Sequence, residues 1–302
     1  MARLLGLIGN RPDLAGRVLA LESDALRVHA RSPWAQTDAH TGAHTGGAPS
    51  SSPPSPLGWG IGFYQGGEVL MRRRPLDDHD SIDLAQLAGD VRADVLIGHV
   101  RSATVGALRT ENTHPFRYRQ WLFAQTGTIP GFESLRERLL ASVPGFLRGN
   151  IRGETDAELV FHVFLSFLHD AGKLEHDEID TASVSAAMRA SFAVIDGMAA
   201  EVGAGPGCIN VVVTNGETLV AVHKNDAESS RMYLRELSGK LDADMIIGDD
   251  AQLRRRAPEL ARMHFTLIAS DLDEEVRGRW KALTPGSIVV ATRADAPRVE
   301  RL

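Results

Sequence analysis

One cysteine, Cys208, occurs in 302 residues, which rules out an intramolecular disulfide and any cysteine-based metal cluster within one chain. Long apolar runs are missing too. Arg189 and Asp196 interrupt the strongest candidate, around Val184 to Val202, short of the roughly 18 uninterrupted residues that a membrane span needs. No signal-peptide core forms at the start, since the apolar patch Leu4 to Ile8 turns polar at Asn10-Arg11. A cytoplasmic protein without membrane attachment is the expectation. Basic charge is in deficit, with 33 Lys and Arg against 39 Asp and Glu and a net charge of −6. This disfavours a nucleic-acid surface or a polybasic anchor and points toward small molecules or protein partners. No internal repeat is visible.

What is present is ordinary for a folded globular chain, with 43% apolar and 24% charged residues. Arg3 to Ile8 can form a strand at the very N-terminus, Pro12-Asp13 opens a helix over Leu14 to Leu21, and a second helix is expected at Asp24 to Ala30. Gly58-Trp59-Gly60-Ile61-Gly62-Phe63-Tyr64 and the stretch to Met71 read as a hairpin. Its interleaved glycines serve either close backbone approach or a pocket wall. Ile82 to Leu87 suits a helix leading into a buried strand at Val95 to Ile97, and Trp121 to Ala124 a second strand. Helices are expected over Phe132 to Leu140, Ala157 to Leu168 and Ser183 to Val202. The period then changes. Ile209 to Thr214, a turn at Asn215-Gly216 and Thr218 to His223 give the strongest hairpin signal, with further strands at Met245 to Ile247, His264 to Ala269 and Ser287 to Thr292. Strands, then helices, then strands imply two sheets with helices outside them.

Several suggestive clusters resolve into simpler readings. Thr37 to Pro56 is rich in His, Thr, Gly, Ser and Pro, too poor in apolar surface to offset its ordering entropy, and is expected to be a mobile insertion at 37–56 within one domain spanning 1–302. His40 and His44 within it have only Asp38 nearby and do not make a metal site. Asp77-Asp78-His79-Asp80 reads as a solvated turn, because adjacent side chains point in different directions. Cys208 reads as a small buried residue opening a strand. No metal and no cofactor is expected.

The organising stretch is Gly98-His99-Val100-Arg101-Ser102-Ala103-Thr104, where a strand gives way to a loop, the position at which rigid sheets present binding groups. Arg101 taken alone is compatible with a surface ion pair or a ligand clamp. Asp156, after Thr155 and before an apolar run, is compatible with a helix cap.

Several motifs in one order change that. Met1-Ala2-Arg3-Leu4-Leu5-Gly6, Gly58 to Tyr64, Gly98 to Thr104, Asn112-Thr113-His114-Pro115 and Gly153-Glu154-Thr155-Asp156 together resemble the class II glutamine amidotransferases. Ala269-Ser270-Asp271-Leu272 and Pro285-Gly286-Ser287 look like the stand-alone branch that includes the ergothioneine-pathway amidohydrolase. The resemblance implies an α+β fold, the four-layer αββα sandwich of N-terminal nucleophile hydrolases. It further implies that Arg101 binds a substrate α-carboxylate, that Asp156 binds the α-ammonium, that Gly127 is the oxyanion glycine, and that Thr104 belongs to the substrate-binding set.

The family's chemistry needs a cysteine directly after the initiator methionine and an asparagine before the oxyanion glycine. This chain has Ala2 and Thr126 there, with Gln125-Thr126-Gly127 in place of His-Asn-Gly. An alanine methyl cannot attack a carbonyl. Catalytic residues are therefore not expected. The reading is a catalytically degenerate member that keeps a pocket for glutamine or a related α-amino acid and acts as a binding or regulatory module. The alternative is an active amidotransferase or amidohydrolase whose natural nucleophile, Cys, has been replaced by Ala at position 2. A purely structural subunit with a vestigial pocket is the third. No synthetase domain is seen in the sequence, so an ammonia-accepting enzyme would be a partner on another chain.

Overall fold

The computed structural model describes residues 2–29, 57–77, 81–102, 106–175, 179–225, 230–255, 260 and 262–302. The insertion at 37–56, with His40 and His44, and the turn residues Asp78, His79 and Asp80 lie outside these.

In chain order the structure runs β1 (Arg3–Gly9), α1 (Ala15–Leu21), α2 (Ser23–Leu26), β2 (Arg27–His29), β3 (Leu57–Gln65), β4 (Glu68–Asp77), β5 (Ser81–Asp83), α3 (Leu84–Leu87) and β6 (Val95–Ser102). It continues with β7 (Phe116–Tyr118), β8 (Trp121–Thr126), α4 (Phe132–Ser142), α5 (Gly145–Arg148), α6 (Asp156–Asp170), α7 (Thr181–Glu201), β9 (Asn210–Thr214) and β10 (Thr218–His223). The last part comprises β11 (Met232–Ser238), α8 (Gly239–Ile247), α9 (Ala251–Arg255), β12 (His264–Ser270), β13 (Lys281–Ala282), β14 (Ser287–Thr292) and β15 (Arg298–Arg301).

Two antiparallel sheets dominate, a seven-stranded one in the order β13-β11-β12-β1-β6-β3-β4 and a six-stranded one in the order β15-β14-β10-β9-β8-β7. The strand residues alternate between two apolar faces, and three cores result. Leu4, Ile8, Ile97, Leu122, Val212 and Ile268 meet between the sheets. Phe123, Val211 and Val213 point the other way, against Leu135, Phe161, Phe164 and Phe192 of α4, α6 and α7. Leu5, Leu7, Leu96 and Leu267 pack outward against Val18 and Leu19 of α1, Leu84 of α3 and Ile246 of α8. A sheet buried on both faces needs near-continuous apolar strands, and the all-buried patterns of β1, β8, β9 and β12 supply them. The expected αββα layering is the observed one. Among the described residues no helix is long and apolar enough to cross a membrane.

Four local expectations are corrected. Met245 to Ile247 is the last turn of α8, not a strand. Its buried residues Ala243, Ile246 and Ile247 follow helical spacing. Asp24 to Ala30 is not a helix: α2 stops after one turn, Arg27 turns extended, and Arg27–His29 pairs with Ser81–Asp83. Asp83 holds that corner, accepting from Ser23 Oγ at 2.6 Å and from Arg27 at 3.3 Å. The helix expected from Ile82 therefore begins at Leu84, capped by the Asp83 side chain. Cys208 is only partly buried and precedes β9. Strand β11 has no clear signal in the sequence because Arg235 and Glu236 break its alternation; Arg235 is buried and meets Glu22 at 2.9 Å.

The glycines of β3 now have a definite purpose. A Cβ on Gly60 would stand 2.0 Å from the His114 carbonyl oxygen, and one on Gly62 would stand 2.8 Å from the Pro115 ring. They let the segment carrying His114 lie directly on the strand. Gly60→Ala is expected to destabilise the protein by about 2–4 kcal/mol, because the obstacle is backbone rather than a flexible side chain. Chemical denaturation checks this; an unchanged midpoint would contradict the seating.

Candidate ligand-binding site

At one end of the gap between the sheets, β1 begins and β6 and β8 finish beside the start of α6, leaving a small open recess. Register brings its parts together. Arg3 pairs with Val100 across β1 and β6, so Ala2, one residue earlier, arrives beside Arg101. The strand end is held in place from the far end of the chain. The Leu4 N–H donates to Ser270 Oγ at 3.0 Å, and the buried Arg3 guanidinium donates to the carbonyls of Ala25 and Asp271. The tail motif around Ser270 and Asp271 thus anchors the N-terminal strand.

Arg101 and His99 are two apart on β6 and so share a face. Both line the recess, and both are buried. The Arg101 guanidinium donates to the carbonyls of Ala107 at 3.2 Å and Gly106 at 3.0 Å, which fixes its plane. His99 stacks obliquely on His114, ring centroids 4.2 Å apart. Burial and then the Arg101 charge lower the His99 pKa to about 3, the Gln125 backbone opposing them. His114 is likewise held well below its ordinary value, by burial first and then by the neighbouring charges. Two neutral imidazoles therefore floor a recess with a cation at one side.

The opposite side is acidic. Asp156 is the first residue of α6, yet it does not cap the helix: the Thr155 hydroxyl does, accepting from the Glu158 N–H at 3.3 Å. Asp156 Oδ2 instead accepts from the Ile129 N–H at 2.8 Å and from Gln125 Nε2 at 3.3 Å. Burial raises its pKa to about 6, against the lowering effect of the amides of Ile129, Ala157 and its own residue and of Gln125. At neutral pH it is an anion, 4% exposed, in the wall of the recess.

Thr126 and Gly127 line the same recess. The Thr126 hydroxyl is buried and has no hydrogen-bond partner among the described residues. Gly127 sits at φ +86°, and a Cβ there would come within 1.9 Å of the Cys208 carbonyl oxygen, so only glycine fits. Of the residues singled out by sequence, the structure brings Ala2, Arg101, Thr126, Gly127 and Asp156 to this one recess. Thr104 lies outside the described residues. His99, His114 and Thr155 were not singled out as lining the recess. Period-two spacing from Arg101 would have found His99, and the Asn112 to Pro115 motif contained His114. Among the described residues no group of three or more His, Cys, Asp or Glu comes together as a metal site.

The raised pKa of Asp156 has a stability consequence. Between about pH 4 and pH 6 the folded state holds a proton on Asp156 that the unfolded state releases, so stability from this group falls as pH rises through that window. Above it the buried anion costs on the order of 3 kcal/mol. Asp156→Asn is therefore expected to melt several degrees above the unmodified protein at pH 8 and close to it at pH 4. A lower melting temperature at pH 8 would contradict the burial cost.

Comparison with known proteins identifies the family and the fold. The family model for class-II glutamine amidotransferases matches residues 32–300. The chain is 30% identical over 146 residues to the "Probable glutamine amidotransferase DUG3" of Saccharomyces cerevisiae, covering 46% of this chain and 41% of that protein. It is 29% identical over 101 residues to the gamma-glutamyl-hercynylcysteine sulfoxide hydrolase of Mycobacterium tuberculosis, covering 30% of this chain and 43% of that protein. In both cases the matched stretch spans less than half of the relative's length. A solved structure of a glutamine aminotransferase class-II domain protein from Silicibacter pomeroyi superposes with a TM-score of 0.57 at 17% identity, covering 99% of this chain and 98% of that one, which establishes the shared fold. With a family match across most of its length and the fold to go with it, the chain belongs to the class-II glutamine amidotransferases.

Proposed function

We propose that this protein is a catalytically degenerate glutamine amidotransferase-like module that recognises glutamine or a related α-amino acid without hydrolysing it, and that it acts by binding or regulating a partner. The observation that carries the reading is the convergence of Arg101 and Asp156, distant in sequence, on one recess whose chemical positions hold Ala2 and Thr126. A guanidinium presents parallel N–H donors that suit a carboxylate, and Asp156 supplies the countercharge for an ammonium. The two come from different elements, β6 and α6, so each can address one end of an α-amino acid. In the middle, the Gly127 position keeps its enforced backbone conformation, while Ala2 offers a methyl and Thr126 a short hydroxyl.

Rate arithmetic supports the loss of catalysis. Removing one oxyanion donor costs on the order of a hundred- to a thousand-fold, and removing a covalent nucleophile about a million-fold. Residues 1–302 are read as one domain, in keeping with the pairing of β1 with β12 from the other end of the chain.

The test is thermal stability in the presence of L-glutamine. At about a hundred times the dissociation constant, ligand should add about 2.7 kcal/mol of stability, and Arg101→Ala should abolish the shift. Because only ionised Asp156 attracts an ammonium, affinity should fall about tenfold per pH unit below about pH 6. Absence of a shift at saturating glutamine, or efficient glutamine hydrolysis by the unmodified protein, would overturn the reading.

A further inference from the structure

Gln125 stands out in the recess because its hydrogen bonding is half complete. It lies near the end of β8, 2% exposed, and lines the recess together with Asp156. Its Nε2 is 3.3 Å from Asp156 Oδ2 and 3.5 Å from the Gly127 carbonyl oxygen. Both neighbours are acceptors, so the amide has one chemically sensible orientation, with its NH₂ toward them and Oε1 away. That oxygen is buried and has no hydrogen-bond partner among the described residues. A buried acceptor left unpaired is costly, and such atoms mark places where a ligand completes the set.

Asp156 has only part of its acceptor capacity left for an ammonium group. Its Oδ2 already accepts from two protein donors, Ile129 and Gln125. An ammonium carries three N–H donors and no acceptor, and it needs more than one oxygen. We infer that Gln125 is a specificity-determining residue of the recess, its Oε1 forming with Asp156 a two-acceptor seat for a primary ammonium group. The same side chain then does two things: its NH₂ orients the carboxylate, and its oxygen faces the ligand. The seat selects primary amines over ligands that lack the group or carry fewer N–H donors. This inference rests on the amino-acid reading of the recess.

The test is calorimetric titration of the full chain with L-glutamine and with 4-carbamoylbutanoate, which is glutamine without its ammonium. A hydrogen bond to a charged group is worth about ten- to a hundredfold in affinity. Gln125→Met should lose that factor for glutamine and change carbamoylbutanoate by no more than about twofold, since a methionine thioether replaces the oxygen. Gln125→Glu, which again presents an oxygen and when protonated can donate to Asp156, should restore glutamine binding to within a few-fold. Equal weakening of both ligands by Gln125→Met, or a Gln125→Glu variant as weak as Gln125→Met, would overturn the inference, leaving Gln125 as mere support for Asp156. Glutamine binding that Arg101→Ala abolishes and Gln125→Met leaves intact would overturn the inference alone. Failure of the unmodified protein to bind glutamine would overturn the amino-acid reading and the inference with it. Unliganded melting temperatures establish that the variants fold. Should either variant not fold, Nα,Nα-dimethyl-L-glutamine, which keeps the charge but has one N–H, provides the check on the unmodified protein: binding equal to glutamine overturns the seat, and binding at least tenfold weaker is the expected result.

Discussion

The seating of β1 in the middle of the seven-stranded sheet is the constraint on which the site depends. The strand is paired on both sides, to β6 and β12, and its residues are buried on both faces. A strand so enclosed cannot slip by one residue without sending every side chain to the wrong core. Leu4 and Ile8 would leave the space between the sheets, and Leu5 and Leu7 would leave the helical side. Ala2 is therefore placed with the precision of the core, next to Arg101, although it lies at the very edge of the ordered sheet. The Arg3 and Ser270 contacts extend that precision to the last residue before the recess.

Within the recess, a cation and an anion arrive from different elements, Arg101 from β6 and Asp156 from α6. Arg101 and Asp156 occupy different walls, and the floor between them is made of imidazoles that Arg101 itself helps to keep neutral. Burying the ionised Asp156 carboxylate is a cost to folding. The raised pKa of Asp156 expresses that cost.

Much of this could be read from the sequence, for reasons that can be named. Strands buried on both faces appear as unbroken apolar runs, so β1, β9, β10, β12 and β14 were visible, and so was the layered αββα arrangement. Arg101, Gly127 and Asp156 were accessible only through the order of several motifs, since none is informative alone. What stayed hidden depended on contacts between remote segments. Strand β11 was masked by Arg235, whose partner Glu22 lies at the other end of the chain. Met245 to Ile247 mimicked a strand because three apolar residues in a row carry no period. The helix expected at Asp24 to Ala30 was broken by pairing with Ser81–Asp83, a partner no local pattern announces. For Asp156, the capping reading and the pocket reading were indistinguishable until Thr155 was seen to do the capping. Gln125 looked like a simple departure from a motif, and its half-satisfied amide becomes meaningful only with Asp156 and Gly127 in place around it.

The central claim is that recognition persists where chemistry has gone. The most direct measurement follows both at once: nuclear magnetic resonance of glutamine labelled with ¹⁵N in its side-chain amide, incubated with the unmodified protein. The account expects saturation transfer from the protein to glutamine while the labelled carboxamide signal remains undiminished over hours. Conversion of that signal to ammonium at an enzymatic rate would contradict the account, and so would the absence of any transfer at millimolar glutamine.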